Sequence, residues 1–573
     1  MSFKFKSEDK SIEEALFGIN NLRVPQFQRP YTWEEDQCGD FWNDLTDDDS
    51  FFLGQFILNF ENKEKEKFVD IVDGQQRTTS ILILCAVFRD KLKELGFNDD
   101  ADVIQDNVMI SRKSFDGPVF KVLVSPNVSS FFEKHIQTGQ NVIQTNTSFD
   151  NDEEKRVIKN YLFFKEQLNE RLSGLDLSHQ VKEIKRIQTF LLNTRIIVTE
   201  IYDENDAYEI FESVNNTGIE LGVADLLKNF LFKRVKIEEG GSVSDIMDKW
   251  NEVLENVQNS ELTKFIRYYW LSKQKVFVTE AKLFKAIKNH PITSGKVLLQ
   301  ELVDNAKIYY DLRNPLDADF QNVENVERVR NSLIGIREMN ITQCYVLLLS
   351  IYRNKDKINT NWITVFELIE KFNFIYHAVS KLPANKVEKL YQELAFKIED
   401  IVNKNENSDS MRVILETEFN NLENKLKSLL PPKEVFILGF SDLTYKKKGL
   451  CRYTLSKIEE SFGTKEYVLN HPTITIEHIL PQKPGKDWNL TSGQIKNYVH
   501  NIGNLTLLGK KPNGTVQNKS IADKIIILKE STEVKITQKL LSQIEPTGIW
   551  NEESIKSRAI ELANVAFDKV WKI

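Results

Sequence analysis

The segment Phe68 to Leu95, FVDIVDGQQRTTSILILCAVFRDKLKEL, constrains the fold of this chain more than any other. A β-rich run meets Asp73 and Gly74, which break a strand, and from Gln75 onward apolar residues recur at helical spacing. Strand, tight turn and buried helix follow in that order. The apolar stretch within it, Ser80 to Phe88, ends at Arg89 and Asp90, well short of the roughly 18 apolar residues that a membrane span needs. No longer apolar run occurs in the sequence, so membrane association is not expected.

Upstream, Phe51 to Phe60 (FFLGQFILNF) is a second β-rich run, and the charged ENKEKEK between the two reads as an exposed hairpin turn. Val24 to Trp33 (VPQFQRPYTW) reads as strand-like and leads into a helix over Glu34 to Leu45. Further on, Arg195 to Ile201 predicts a strand, Ala207 to Val214 a helix, Asn215 to Gly218 a polar loop, and Val223 to Arg234 another helix. From about Glu238 to Leu430 amphipathic helices such as Leu347 to Arg353 and Trp362 to Phe374 replace strands. Pro431 and Pro432 stop the last of them, because proline lacks the N–H and clashes with the preceding turn. A chain of 573 residues holds several domains, and the expected ones are 1–235, 236–430 and 431–573. The fold class expected is α+β, multidomain and mostly helical, with an α/β N-terminal domain, a helical middle and a ββα finger in the last domain.

Charge separates the last domain from the rest. The whole chain carries −8, yet Pro431 to Ile573 holds 21 Lys and Arg against 15 Asp and Glu. That quarter is the part suited to phosphates. Cys38, Cys85, Cys344 and Cys451 stand far apart with no C-x-x-C pair, which excludes a disulfide framework and a four-cysteine zinc site. The first 20 residues carry acidic groups where a signal peptide needs an apolar stretch. A cytoplasmic protein is expected.

His471, His478 and His500 fall within thirty residues, and the sharpest string among them is Glu477-His478-Ile479-Leu480-Pro481-Gln482. Hydrolysis of a phosphodiester needs a base for water and a cation to offset charge on phosphate, and a histidine beside a carboxylate supplies both parts. Ile502-Gly503-Asn504-Leu505-Thr506-Leu507-Leu508 follows, then Asn513, Lys519 and Lys524. In the N-terminal part, Asp73-Gly74-Gln75-Gln76-Arg77 sits at a strand-to-helix junction, where free N–H groups and the helix dipole favour anions. A capped helix start is the plainer explanation of that string taken alone. There is no G-x-x-x-x-G-K-[ST] sequence, which excludes a P-loop.

The strings EHILPQ and IGNLTLL with the following Asn and lysines resemble the HNH (His-Me finger) nuclease domain of GmrSD-type type IV restriction enzymes. Trp550, Arg558 and Trp571 extend the resemblance. QRPYTW, FFLGQFIL, VDGQQRTT and FESVNNTG, in this order, resemble the ParB-like N-terminal domain of the same family over about residues 10 to 235. The resemblance implies His478 as general base, Asn504 as the residue orienting it, and Glu477 and Asn513 as ligands of Mg²⁺ or Mn²⁺. It implies Gln28, Arg29, Asp73, Gly74, Gln75, Gln76 and Arg77 in binding or hydrolysis of a nucleoside triphosphate, with GTP, UTP, CTP and ATP all open. Asn215, Asn216 and Thr217 are second-rank candidates, and Lys519 and Lys524 weaker ones for DNA. His471 and His500 read as structural or surface residues. Tyr31, Trp33, Phe41 and Trp42 line either a base pocket or simply the core.

The function this implies is a modification-dependent endonuclease acting on foreign, phage DNA, with nucleotide as a second partner and a homodimer left open. Two rivals stand beside it: a nicking or indiscriminate nuclease of abortive infection, and a ParB-like nucleotide-dependent DNA-binding scaffold whose finger is structural.

Overall fold

The computed structural model describes residues 5–573 apart from 20, 26–27, 48–51, 62–67, 115–116, 140–147, 203–222, 292–293, 319, 321–322, 324, 359, 384, 405–407, 446–447, 464–470, 472, 486–487, 489–491 and 532. The expected helix over Ala207 to Val214 and the candidates Asn215, Asn216 and Thr217 lie outside the described residues. The chain divides into two compact units, one of Met1–Asn251 with Lys288–Gln300, the other of Glu252–Ile287 with Glu301–Ile573. The proline stop at Pro431 and Pro432 falls inside the second unit. No helix among the described residues is long and apolar enough to cross a membrane.

The first unit is built on strands β1 (Phe5–Ser11), β2 (Leu22–Arg23), β3 (Phe52–Asn59) and β4 (Val69–Asp73), a separate hairpin of β5 (Ile110–Ser114) and β6 (Gly117–Phe120), then β7 (Val122–Leu123) and β8 (Arg195–Ile201). Six of them form one mixed sheet in the order β1-β8-β3-β4-β2-β7. β3 and β4 are antiparallel, as the two β-rich runs predict, while β8 lies parallel to β3. Helix α1 covers Glu35–Asp47 and α2 Gln75–Glu94.

The run Val24 to Trp33 differs from expectation: regular pairing stops at Arg23 and residues 28–34 follow an irregular path. Pro25 and Pro30 bring no N–H to a ladder. Side chains take over as backbone partners there, Glu153 accepting from the Tyr31 N–H at 2.8 Å and Gln76 from the Thr32 N–H at 2.7 Å.

α2 is buried from Thr78 to Arg89, which accounts for its lack of a polar face. Its two buried threonines return their hydroxyls to the backbone, Thr78 to Gly74 at 3.0 Å and Thr79 to Gln75 at 2.9 Å. Gly74, at the N-cap, has φ +96°. A Cβ there would lie 2.3 Å from the Phe56 ring. Both constraints require glycine.

In the second unit the helices Tyr345–Arg353 and Ile363–Asn373 fall where the amphipathic pattern predicts. Trp571 stacks on Phe374, ring centroids 3.6 Å apart, and its indole N–H donates to the buried Glu370 at 3.0 Å. Strands β9 (Ile474–His478) and β10 (Leu505–Gly509) form an antiparallel pair. The polar segment after β10 begins as the short helix Lys510–Val516, ahead of the helix Ile521–Ser531. Pro512 is tolerated because the first turn of a helix leaves its N–H groups unpaired anyway. The molecule is thus α+β and mostly helical.

Gly74→Ala combines left-handed strain with a clash, at a cost of roughly 2–4 kcal/mol. The expected outcome is a lower thermal midpoint, read by circular dichroism against wild type.

Candidate active site

His478 ends β9 and stands opposite Leu505 on β10. Past His478 one backbone bond remains, from the Ile479 N–H to the Asn504 carbonyl at 3.1 Å, and from Leu480 a side chain holds the chain. Asn504, fully buried, does so with all four of its hydrogen-bonding positions. Its Oδ1 accepts from the Leu480 N–H at 2.7 Å and from the Trp550 indole at 3.0 Å; its Nδ2 donates to the carbonyls of Leu480 and Val499, each at 2.9 Å. These bonds go to the loop beside His478 and to Trp550; the imidazole is not among their partners. The neighbouring Gly503 has the helix Glu552–Val565 pressed against it, so that a Cβ would meet the Ile555 carbonyl at 2.1 Å. From that helix Arg558 donates to the carbonyls of Gly503 and Leu505 at 2.6 and 2.8 Å.

The ring held by this frame faces a cavity of about 450 Å³, lined among others by Tyr445, Lys448, Arg452, Thr475, Gln482 and His500. His478 Nε2 lies 3.3 Å from His500 Nδ1 and 3.4 Å from the Gln482 amide nitrogen. Burial, with positive charge from His500, Lys524 and Lys448, pulls the His478 pKa down to about 4. The imidazole is therefore neutral at physiological pH, the state a proton acceptor needs.

Sequence reading gave no role to Lys448, Arg452 and Gln482, and read His500 as a structural or surface residue, whereas it lines the cavity beside His478. Gln482 closes the EHILPQ string and Lys448 ends a run of three lysines, so both left a local signal. His500 left one in the cluster with His471 and His478, and Arg452 left none. His471 stays at the start of the hairpin, its Nδ1 2.9 Å from the Thr473 hydroxyl.

Strand alternation turns Glu477 to the face opposite His478. There its carboxylate accepts from Lys524 Nζ at 2.6 Å, and the same ammonium donates to the His478 carbonyl at 2.7 Å. Both side chains are buried. Burial raises the Glu477 pKa and lowers that of Lys524, while their mutual attraction opposes both shifts. Asn513 ties its short helix to β9, donating to the Thr475 hydroxyl at 2.8 Å and the Ile476 carbonyl at 3.1 Å. Lys519 is exposed, and its carbonyl accepts from the Trp488 indole at 3.2 Å.

Mg²⁺ and Mn²⁺ bind through unencumbered oxygen ligands. Here the carboxylate is already matched by Lys524, His478 lies on the other face, and no three His, Cys, Asp or Glu gather among the described residues. In this arrangement the residues do not fit a divalent ion.

Residues 430–565 match the family model described as GmrSD restriction endonucleases, C-terminal domain, and residues 12–232 that of the GmrSD restriction endonuclease, N-terminal domain. Together they span more than half of the sequence. The chain belongs to the GmrSD restriction endonuclease family. No curated protein matches it.

In this GmrSD-family chain the two N-terminal strings meet each other. Gln28 donates to the Val72 carbonyl at 3.0 Å and accepts from Gln75 at 3.1 Å, while Gln76 donates to the Pro30 carbonyl at 3.0 Å. Arg77 donates to the carbonyls of Leu53 and Gln55, each at 2.7 Å, and to Asp73 at 3.2 Å, over the Phe56 ring. Arg29 is half-buried with its Nε unpaired. Tyr31, Phe41 and Trp42 are core residues, and Trp33 packs against that core.

Lys524→Met strands a buried carboxylate and is expected to cost about 3–5 kcal/mol. Pairing it with Glu477→Gln recovers most of that loss. Urea unfolding of wild type, single and double variants measures both.

Proposed function

We propose that the β9–β10 hairpin and the helices after it are the HNH finger of a type IV, modification-dependent endonuclease, and that its substrate is foreign, phage DNA. The observation that carries this reading is a neutral His478 facing a cavity flanked by Lys448 and Arg452. A water in that cavity loses its proton to His478 Nε2 as its oxygen bonds to phosphorus. The bond from phosphorus to the leaving sugar oxygen then breaks, and solvent supplies the proton that oxygen takes up. His500 and Gln482, whose nitrogens approach the same Nε2 in the free site, give it up to that water, while Lys448 and Arg452 offset phosphate charge. Family membership supports DNA as the substrate class. Mg²⁺ or Mn²⁺ is the cofactor the resemblance implies, and binding it at Glu477 and Asn513 requires Lys524 to release the carboxylate. The ParB-like N-terminal domain binds and hydrolyses a nucleoside triphosphate as a switch on cleavage, through the QRPYTW and DGQQR strings.

The buried Glu477–Lys524 pair favours one second reading, a nucleotide-dependent DNA-binding scaffold with a structural finger. The two part at His478→Ala. In a gel assay on matched modified and unmodified phage DNA, with and without Mg²⁺, EDTA and triphosphates, the nuclease reading expects this variant to lose cleavage by at least about 100-fold. Restriction of phage that survives the substitution overturns that reading in favour of the scaffold. Cutting of unmodified host DNA would instead point to an abortive-infection nuclease.

The pH profile carries a further expectation. Because the His478 pKa is lowered, its neutral form persists as pH falls through the ordinary histidine range, and protonation sets in only near pH 4. Cleavage rates, measured where the fold is intact, should therefore hold down to about pH 5 and lack an acid limb near 6.5.

A further inference from the structure

Lys228, on the helix Val223–Phe232 of the first unit, has 7% of its surface exposed. Among the described residues its ammonium makes one hydrogen bond, to the Gln28 carbonyl at 3.5 Å, longer than a strong bond. Burial pushes its pKa down to about 8, against the pull of Asp225 and Glu153. An ammonium withdrawn from water without a closely bonded anion is costly, and such groups cluster where they serve binding or catalysis.

Its surroundings say what it would bind. Gln28, its partner, also accepts from the Gln75 side chain at 3.1 Å, which brings Lys228 close to the start of α2. That twenty-residue helix begins at Gly74 without a side-chain cap, leaving first-turn N–H groups for a ligand. Two further polar atoms of this region are buried and unpaired: the Gln75 Oε1, on a side chain 5% exposed, and the Arg29 Nε. A cation, a guanidinium N–H and helix N–H groups suit phosphate oxygens. An amide oxygen suits a hydroxyl or a base N–H. A nucleoside triphosphate offers both.

We propose that Lys228 is a phosphate-binding residue of a nucleoside triphosphate site at the start of α2, with Arg29 beside it and Gln75 receiving a donor of the sugar or base. The inference rests on the nucleotide reading above and adds to it a residue some 150 positions downstream of the DGQQR string.

The test is equilibrium binding of fluorescent GTP, UTP, CTP and ATP analogues to the full chain, as wild type, Lys228→Met and Lys228→Arg, with inorganic tripolyphosphate and a short DNA oligonucleotide as competitors. The expected result is a loss of at least about tenfold in affinity for Lys228→Met, partial retention for Lys228→Arg, and competition by tripolyphosphate. Unliganded Lys228→Met should melt no lower than wild type, because it removes a buried charge, and nucleotide should no longer raise its midpoint. Should the methionine variant not fold, Lys228→Gln takes its place. Wild-type binding that Lys228→Met leaves unchanged overturns the inference while the nucleotide reading stands, as does competition by DNA alone. A wild type that binds none of the four triphosphates overturns the nucleotide reading itself.

Discussion

Everything at the C-terminal site depends on the buried side chain of Asn504. β9 ends at His478, and after the bond from the Ile479 N–H to the Asn504 carbonyl the pairing of β9 with β10 stops. A buried backbone amide left unpaired costs about 1–3 kcal/mol, so an irregular segment survives in a core only where something replaces the ladder. Asn504 replaces it for Leu480 and Val499, and Trp550 fills its last acceptor position. Arg558 then fixes the carbonyls on either side of Asn504. His478 is thereby positioned through the loop that follows it, with its ring left to His500 and the cavity.

Electrostatics on the two faces of β9 follow from the same burial. On one face desolvation and neighbouring positive charge keep His478 uncharged. On the other, Glu477 and Lys524 neutralise one another beneath it. A buried pair contributes little net stability and holds its place because neither partner can be removed alone. Lys524 also grips the His478 carbonyl, so the pair braces the strand that carries His478. The hairpin thus has its own internal cation at the carboxylate the family resemblance reserves for a metal.

The sequence was most legible where local signals suffice. The strand, glycine and helix around Gly74 are legible because a β-rich run gives way to a helical period across a single breaker. Val24 to Trp33 misled because β-rich composition says nothing about which N–H groups a proline-containing segment can offer. The role of His500 was hidden for a different reason: it reaches His478 from another element, across 22 positions of sequence, and the clustering of the histidines carries no record of which of them meet. The side of β9 on which Glu477 faces was in principle readable from alternation. Its pairing with Lys524 was not.

The N-terminal strings teach a related point about what a dense motif encodes. QRPYTW and DGQQR look like a ligand's contact list, yet in the folded chain most of their side-chain polarity is spent on each other and on nearby carbonyls. Gln76 supplies the backbone bonds the prolines deny to the Tyr31–Thr32 segment, and Arg77 closes the end of β3 against α2. A motif of this kind specifies a rigid junction first. On the nucleotide reading proposed above, ligand contacts fall to the polar groups the junction leaves unsatisfied, Arg29 and Gln75 within the two strings and Lys228 on a helix that arrives much later in the sequence. The junction is therefore readable from two contiguous strings, whereas Lys228, some 150 positions beyond the second of them, leaves no mark in either.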